Sequence, residues 1–117
     1  MATTLTRVLV HVTFSTKGRA AIIAESVAPD LHAYLGGICR GLRSPAIAIG
    51  GVADHVHLAV SVAKSVSIAE LMLNVKRDSS RWMRRRMPGF AWQEGYFAFS
   101  IGASGVDALV KYIANQR

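Results

Sequence analysis

With 117 residues, 12.6 kDa, 51% hydrophobic residues and a mean hydropathy of +0.30, the chain has material for one packed domain, which excludes a disordered tail and leaves no room for a second domain. Fourteen Lys and Arg against seven Asp and Glu give +7 and a pI near 10.3, which points to polyanionic partners, nucleic acid or an anionic membrane surface. The single cysteine, Cys39, excludes an intrachain disulfide and any CxxC motif. Met1-Ala2-Thr3-Thr4 opens no secretory signal and no apolar run approaches the roughly 20 residues that span a bilayer, so the expectation is a soluble, cytoplasmic protein without a membrane partner.

In chain order, Arg7 to Thr13 alternates, with Val8, Val10, Val12 and Phe14 on one face and His11 and Thr13 on the other, which predicts a half-buried strand. From Ser26 to Leu42, Leu31, Tyr34, Leu35, Ile38 and Leu42 recur at helical spacing after Pro29, predicting a helix that stops near Gly41. Ala46 to Val52 and His55 to Val62, parted only by Ala53 and Asp54, predict an antiparallel hairpin. Ser67 to Met87 has the strongest helical pattern. Ile68, Leu71, Met72, Val75, Ser79, Trp82 and Met83 form its apolar stripe, and Asn74, Arg77, Arg81, Arg84 and Arg85 lie opposite. Phe90 to Ile101 predicts a strand or broken hairpin turning at Gly95, and Ser104 is expected to cap a last helix through Gln116. This βαββαβα order predicts an α+β sandwich of the ferredoxin-like kind, with an antiparallel sheet of about four to five strands, helices on one face and the other face open.

On that open face, His55-Val56-His57 sets two imidazoles about 6.6–7 Å apart along one strand. Taken alone, the pattern is better read as two exposed strand histidines, because imidazoles rarely hold Mg²⁺ or Mn²⁺ without an oxygen ligand. Tyr112 and Gln116 fall one turn apart on the last helix, and by periodicity alone they are an ordinary helix-flank Tyr and a solvated Gln. Asp and Glu are scattered singly, which argues against a carboxylate two-metal centre. The Arg77, Arg81, Arg84 and Arg85 face reads equally as a phosphate-binding or a solvated basic face. Trp82 belongs to the core stripe, Trp92 and Tyr96 fit either core or base stacking, and Asp54 is better read as shaping the hairpin turn than as orienting a histidine. His11 reads as a satisfied surface histidine and Cys39 as a small core residue.

Four separated segments agree in order and spacing: Gly51-Val52-Ala53-Asp54-His55-Val56-His57-Leu58, Ser79-Ser80-Arg81-Trp82, Trp92-Gln93-Glu94-Gly95-Tyr96-Phe97 and Lys111-Tyr112-Ile113-Ala114-Asn115-Gln116. Together with Phe14-Ser15-Thr16-Lys17, they resemble the single-tyrosine HUH transposases of the insertion-sequence 200 type over nearly the whole chain. The resemblance implies a ferredoxin-like or RRM-like fold, His55, His57 and Gln116 as ligands of Mg²⁺ or Mn²⁺, and Tyr112 as the nucleophile that cleaves and rejoins single-stranded DNA through a 5′-phosphotyrosine. It further implies hairpin DNA ends of a mobile element as substrate and a homodimer with composite sites, the tyrosine helix of one subunit facing the histidines of the other. Because similar proteins continue past the Tyr-x-x-x-Gln turn, the expectation is a single transposase domain over residues 1–117 that is truncated at its C-terminus.

Two other classes compete. One is a domesticated or inactive ferredoxin-like nucleic-acid-binding module, against which stand the histidine pair and Tyr-x-x-x-Gln together. The other is a small HxH metalloprotein acting on a small molecule, for which the sequence offers no pocket signature.

Overall fold

The computed structural model describes residues 8–116; Arg7, which the alternation pattern puts at the start of the first strand, lies outside them. Strands β1 (Val8–Ser15), β2 (Ala46–Val52), β3 (His55–Val62) and β4 (Phe97–Ser100) alternate with helices α1 (Ala28–Gly41), α2 (Ile68–Arg84) and α3 (Val106–Ala114) in the expected order. Every strand pair is antiparallel and the sheet order is β2-β3-β1-β4, the ferredoxin-like arrangement.

Local chemistry sets the element ends. Ser67 caps α2 by accepting the Glu70 amide at 3.0 Å, and Pro88-Gly89, with Gly89 at φ +91, follows its end. Pro29 sits in the first turn of α1. α3 begins differently from expectation. A single 3-10 turn (Ala103–Gly105) leads into it, Gly105 is its N-cap, and Ser104 makes no capping bond. β4 is also shorter than the apolar run suggested. Phe90 and Trp92 enter the core instead of a strand, Trp92 bridges to Thr16 beyond the end of β1, and Gly95 turns at φ +82.

The core forms where α1 and α2 cover one face of the sheet. Val10, Val12 and Phe14 of β1 and Val56, Leu58, Val60 and Val62 of β3 meet Leu31, Leu35, Cys39, Leu71, Met72, Val75 and Met83 there. The stripe on α2 is buried as its periodicity requires, Ser79 included. The Ser79 hydroxyl donates to the Val75 carbonyl at 2.5 Å and accepts from Trp92 Nε1 at 2.9 Å, so its burial leaves no polar atom unpaired. Trp92 is thereby a core residue with its ring edge-on to Phe14 and Phe90, and Tyr34 stacks on Trp82. Val8, at the strand start, is the apolar β1 residue that stays exposed.

The opposite face is only partly open. α3 packs across β2 and β3, with Ile113 fully buried against Gly50. Among the described residues no helix is long and apolar enough to cross a membrane.

Candidate active site

Register puts the site on the α3 face. Directly opposed residues of antiparallel strands point the same way, so Gly50, His57, Thr13 and Phe97 form one row across all four strands. Ala48, Ala59, His11 and Phe99 form the next, and Val52, His55 and Ser15 flank it on the other side. α3 lies over the β2–β3 end of these rows and brings Tyr112 to their middle.

His57 is the centre of the cluster. It is 6% exposed, where the alternation pattern placed it on an open surface, because α3 roofs it. Its ring is 5.5 Å from the Tyr112 ring and 4.9 Å from that of His55, edge-to-face in both cases. Nδ1 of His57 lies 2.9 Å from His11 Nε2 and 3.1 Å from Thr13 Oγ1, both within hydrogen-bond reach. Nε2 of His57 is buried with no hydrogen-bond partner. Burial, aided by positive charge on His55 and His11, pushes the His57 imidazole down to about 4. At neutral pH it is therefore a neutral donor with one nitrogen held and the other bare. That is the state a metal-ligating histidine needs.

His55 is held comparably. Asp54 Oδ1 is 2.7 Å from His55 Nδ1, and this hydrogen bond, with the charges of His55 and Arg19, keeps the Asp54 carboxyl below the usual carboxylate range. Asp54 thus shapes the hairpin turn and also orients His55; the turn alone, favoured from sequence, is half of its role. Buried Thr16 fixes the same corner, donating its amide to Asp54 O at 2.9 Å and its hydroxyl to Ala20 O at 2.7 Å.

The two imidazoles fit a divalent ion as far as donor chemistry goes, each having one nitrogen fixed by a hydrogen bond, with the bare buried Nε2 of His57 as the specific mark. Among the described residues no group of three or more His, Cys, Asp or Glu is arranged to hold a metal. Gln116, which the family resemblance implies as an oxygen ligand, turns its amide back to the Tyr112 carbonyl at 3.4 Å, and its side chain does not reach His57 Nε2. It lines an open cleft with Asp54 at the hairpin end of the sheet.

Tyr112, half exposed, also meets His11 at 6.3 Å between ring centres. His11 is therefore part of the cluster and not a bystander on the surface; its alternation with the buried β1 valines was the only sequence sign of this. The tyrosine meets the histidines of its own chain, whereas the family resemblance implied those of a partner.

The basic residues lie elsewhere. α2 packs on the face of the sheet opposite α3, so Arg77, Arg81, Arg84 and Arg85, all exposed, stand across the sheet from Tyr112. Within the run from Lys76 to Arg86, Lys76 donates to the carbonyls of Gln93 and Gly95 at 2.6 and 2.8 Å, and Arg86 lies over the Trp82 ring at 3.6 Å. Arg77 bonds Asp78 and Asn74, and Arg84 bonds Ser80.

Comparison with known proteins agrees with this architecture. A crystal structure of a protein from Deinococcus radiodurans R1, described provisionally as a transposase, superposes with a TM-score of 0.79 at 22% identity, covering 100% of this chain and 96% of that one. A REP-associated tyrosine transposase bound to a REP hairpin superposes with a TM-score of 0.70 at 13% identity, covering 97% of this chain and 70% of that one. At such identities these likenesses speak for the fold alone. No curated protein matches the chain significantly. The sequence model of the family described as "Transposase IS200 like" matches residues 4–116, a span that holds the histidine pair, the tyrosine and the sheet that joins them, and the chain belongs to that family.

Proposed function

We propose that this protein is a metal-dependent transposase of single-stranded DNA that cleaves and rejoins strands through a 5′-phosphotyrosine on Tyr112. The observation that carries this reading is the edge-to-face contact of Tyr112 with His57, at 5.5 Å between ring centres, beside the bare Nε2 of His57.

His55 and His57 would hold a Mg²⁺ or Mn²⁺ ion, with Gln116 as third ligand once its amide turns away from its own helix. When bound, such an ion withdraws charge from the non-bridging oxygens of a phosphodiester. Asp54 on one side and His11 with Thr13 on the other keep both imidazoles oriented through the reaction. The Tyr112 oxygen attacks phosphorus and its phenol proton leaves, while the bond to the 3′ oxygen breaks and that oxygen takes up a proton. The products are a 5′-phosphotyrosine and a free 3′-hydroxyl, and attack by a different 3′-hydroxyl reverses the step and joins a new end. The phosphodiester bond energy is kept in the adduct, so no nucleotide is consumed.

Arg77, Arg81, Arg84 and Arg85 would hold phosphates of a second part of the same DNA on the far face, a division that suits a hairpin whose single-stranded flank continues to Tyr112. The hairpin carried by the REP-associated neighbour supports that substrate class. Exchange of two ends requires two tyrosines, hence a homodimer, whose sites are either complete in each chain or composite with α3 exchanged between subunits.

The test is a denaturing gel of the protein incubated with Mn²⁺ and a 3′-labelled pool of stem-loop single strands with randomised flanks. The label should migrate with the wild-type protein and not with Tyr112→Phe. An undiminished adduct in Tyr112→Phe moves the nucleophile to Tyr34 or Tyr96; no adduct in the wild type, with hairpin binding intact, favours the inactive binding module.

A further inference from the structure

We propose that Arg19, on the turn that follows β1, holds a phosphate of the single strand at the His55 side of the Tyr112 site. The proposal rests on the reading of the protein as a single-strand DNA enzyme, and it adds a substrate-holding residue outside the histidine and tyrosine motifs and outside the α2 arginines.

The turn is built on a conformation that arginine does not favour. Gly18 and Arg19 both have positive φ, +65 and +55, and the Ala20 amide donates to the Lys17 carbonyl at 3.4 Å, the pattern of a type I′ turn. At the second central position of such a turn Gly is the customary residue, because a Cβ strains it. Arg43, the other non-glycine residue with positive φ among the described residues, directly follows the end of α1, where a left-handed residue is usual. Arg19 closes no α-helix. It is held in place from outside: the amides of Thr16, Lys17 and Gly18 donate to Asp54 O, Ala91 O and Gln93 Oε1 at 2.9–3.0 Å, and that of Arg19 to Thr16 O at 2.9 Å. Backbone strain persists where its surroundings over-determine it, and it collects at functional sites.

One carboxylate ties this residue to the site. Asp54 Oδ1 holds His55 Nδ1 at 2.7 Å, and Asp54 Oδ2 lies 3.6 Å from Arg19 Nε. Ser15, the last residue of β1, pairs with His55, so the turn starts beside the histidine and sends the guanidinium back towards it. The ion pair does not offset the strain, because the Arg19 side chain is 64% exposed and an exposed pair at that distance adds little stability. Nor does it occupy the whole group, since Nη1 and Nη2 make no bond among the described residues.

A phosphate is what such a group fits. Guanidinium N–H groups bond two oxygens of one phosphate side by side, and Lys17, also exposed on the same turn, adds a second cation. A strand whose reacting phosphate lies at His55, His57 and Tyr112 carries further phosphates on either side of it, and Arg19 stands on the His55 side. Asp54 keeps the guanidinium there while DNA is absent.

The test uses the full chain in EDTA and a fluorescein-labelled 20-nucleotide oligodeoxythymidylate, with anisotropy followed from low to moderate salt. Arg19→Gly and Arg19→Asn remove the charge, and both residue types accept positive φ. Each is expected to weaken binding roughly five- to tenfold at low salt and to lower the slope of log affinity against log salt by about 0.7, the mark of one single-strand phosphate contact. Arg19→Lys should keep the slope and lose part of the affinity, because an ammonium has the charge without the fork. Arg19→Gly should unfold in urea at a midpoint no lower than the wild type, since it sheds the strain. Its calorimetric titration with Mn²⁺ should match the wild type, which a residue acting only through Asp54 and His55 would not allow.

A wild-type slope in both neutral variants overturns the phosphate contact. If Mn²⁺ affinity falls while the slope stays, Arg19 is a positioning partner of Asp54 and the proposal fails. A slope that falls only together with an earlier unfolding midpoint assigns Arg19 to the fold and overturns it as well. Adduct formation by the same wild-type preparation, with Mn²⁺ and the stem-loop pool, separates this proposal from the one beneath it. An adduct with unchanged slopes removes the contact and leaves the transposase reading standing. Lower slopes in the neutral variants without any wild-type adduct keep the contact and remove the cleavage reading. A wild type that binds no single strand removes both.

Discussion

Gly50 of β2 lies directly beneath Ile113 of α3: a Cβ built on Gly50 would run into the Ile113 carbonyl oxygen and come within 2.9 Å of its Cγ2. Gly50 also pairs with His57 in the sheet, and Ile113 follows Tyr112 in the chain. The absence of one side chain therefore sets how closely the tyrosine helix approaches the histidine strand. Gly50→Ala should lift α3, because the obstructing atom is backbone and cannot turn aside. We expect a stability loss of about 1–3 kcal/mol and a fall in adduct yield of about 100-fold, as for a reacting group displaced by an ångström. Urea unfolding and the denaturing-gel assay measure the two; wild-type adduct yield in Gly50→Ala would show that α3 is not held by this contact.

The acid limb of stability should follow His57. Its imidazole titrates near 4 when folded and near 6.5 in an unfolded chain, so between these values the unfolded state binds a proton that the folded state does not. Stability is thus fully present above about pH 6.5 and is lost as pH falls towards 4, by at most about 3 kcal/mol from this group. His11 and His32, also lowered by burial, act in the same direction, so the measurement is a comparison. Urea unfolding in EDTA at pH 7 and pH 4.5 should show a smaller loss for His57→Gln than for wild type. Identical losses would mean that His57 is not held neutral by the fold.

His11 and Thr13 should matter to the metal through His57. Each lies within hydrogen-bond reach of His57 Nδ1, and fixing a proton there leaves Nε2 as the bare donor. Removing such a partner commonly costs 10- to 100-fold in metal affinity. Calorimetric titration of Mn²⁺ should show a loss in that range for Thr13→Val combined with His11→Phe, with far-ultraviolet circular dichroism unchanged. Unaltered Mn²⁺ affinity would assign both residues to packing alone.

The parts of this molecule that sequence exposes are those whose pattern is local. The stripe from Leu71 to Met83 and the alternation of Val56, Leu58 and Val60 are properties of one helix and one strand, and they are buried as that spacing requires. The role of His11 is not local. It depends on which β3 residue faces it across the sheet and on α3 bringing Tyr112 over both, and neither is contained in the β1 sequence. The seat of α3 is not local either: Ile113 is buried against Gly50 of β2, and that pairing of a helix with a strand far away in the chain is contained in neither segment. Phe90 to Ile101 reads as a strand or a broken hairpin turning at Gly95, because it is apolar over most of its length. Its first part is apolar to fill the core through Phe90 and Trp92, and its last part exposes Phe97 and Phe99, so one composition serves two opposite environments.

The arginine face of α2 should report itself through salt. Arg81 and Arg85 extend from a surface across the sheet from Tyr112, and Arg77 and Arg84 are exposed although bonded to neighbours. Each phosphate that a side chain ceases to neutralise lowers the slope of log affinity against log salt, by about 0.7 on a single strand and by about 0.9 on a duplex stem. Arg77→Ala, Arg81→Ala and Arg84→Ala together should flatten the slope for a stem-loop by about 2–3. The yield of adduct at saturating DNA should stay near wild type, because these residues do not touch Tyr112. A slope equal to wild type would make the face a solvated surface.

The last prediction decides where the tyrosine acts. Within one chain Tyr112 already meets His57, and if a dimer keeps that arrangement, each of its two sites takes tyrosine and histidines from the same chain. Co-expressed Tyr112→Phe and His57→Ala chains then form heterodimers in which one site lacks the nucleophile and the other lacks the imidazole, and no adduct should appear. If instead α3 crosses to the partner, the same heterodimer has one site with both parts intact and one with neither, and about half the wild-type activity per dimer returns. Differently tagged chains, purified through both tags in turn, confirm that heterodimers are present before the assay. The short span of α3, nine residues joined to β4 by a few more, makes the exchange physically possible, while the close seat of Ile113 on Gly50 holds the helix at home. Rescue in the Gly50→Ala background but not with native Gly50 would show that this contact keeps the helix from being exchanged; rescue with native Gly50 would place the active site between two chains.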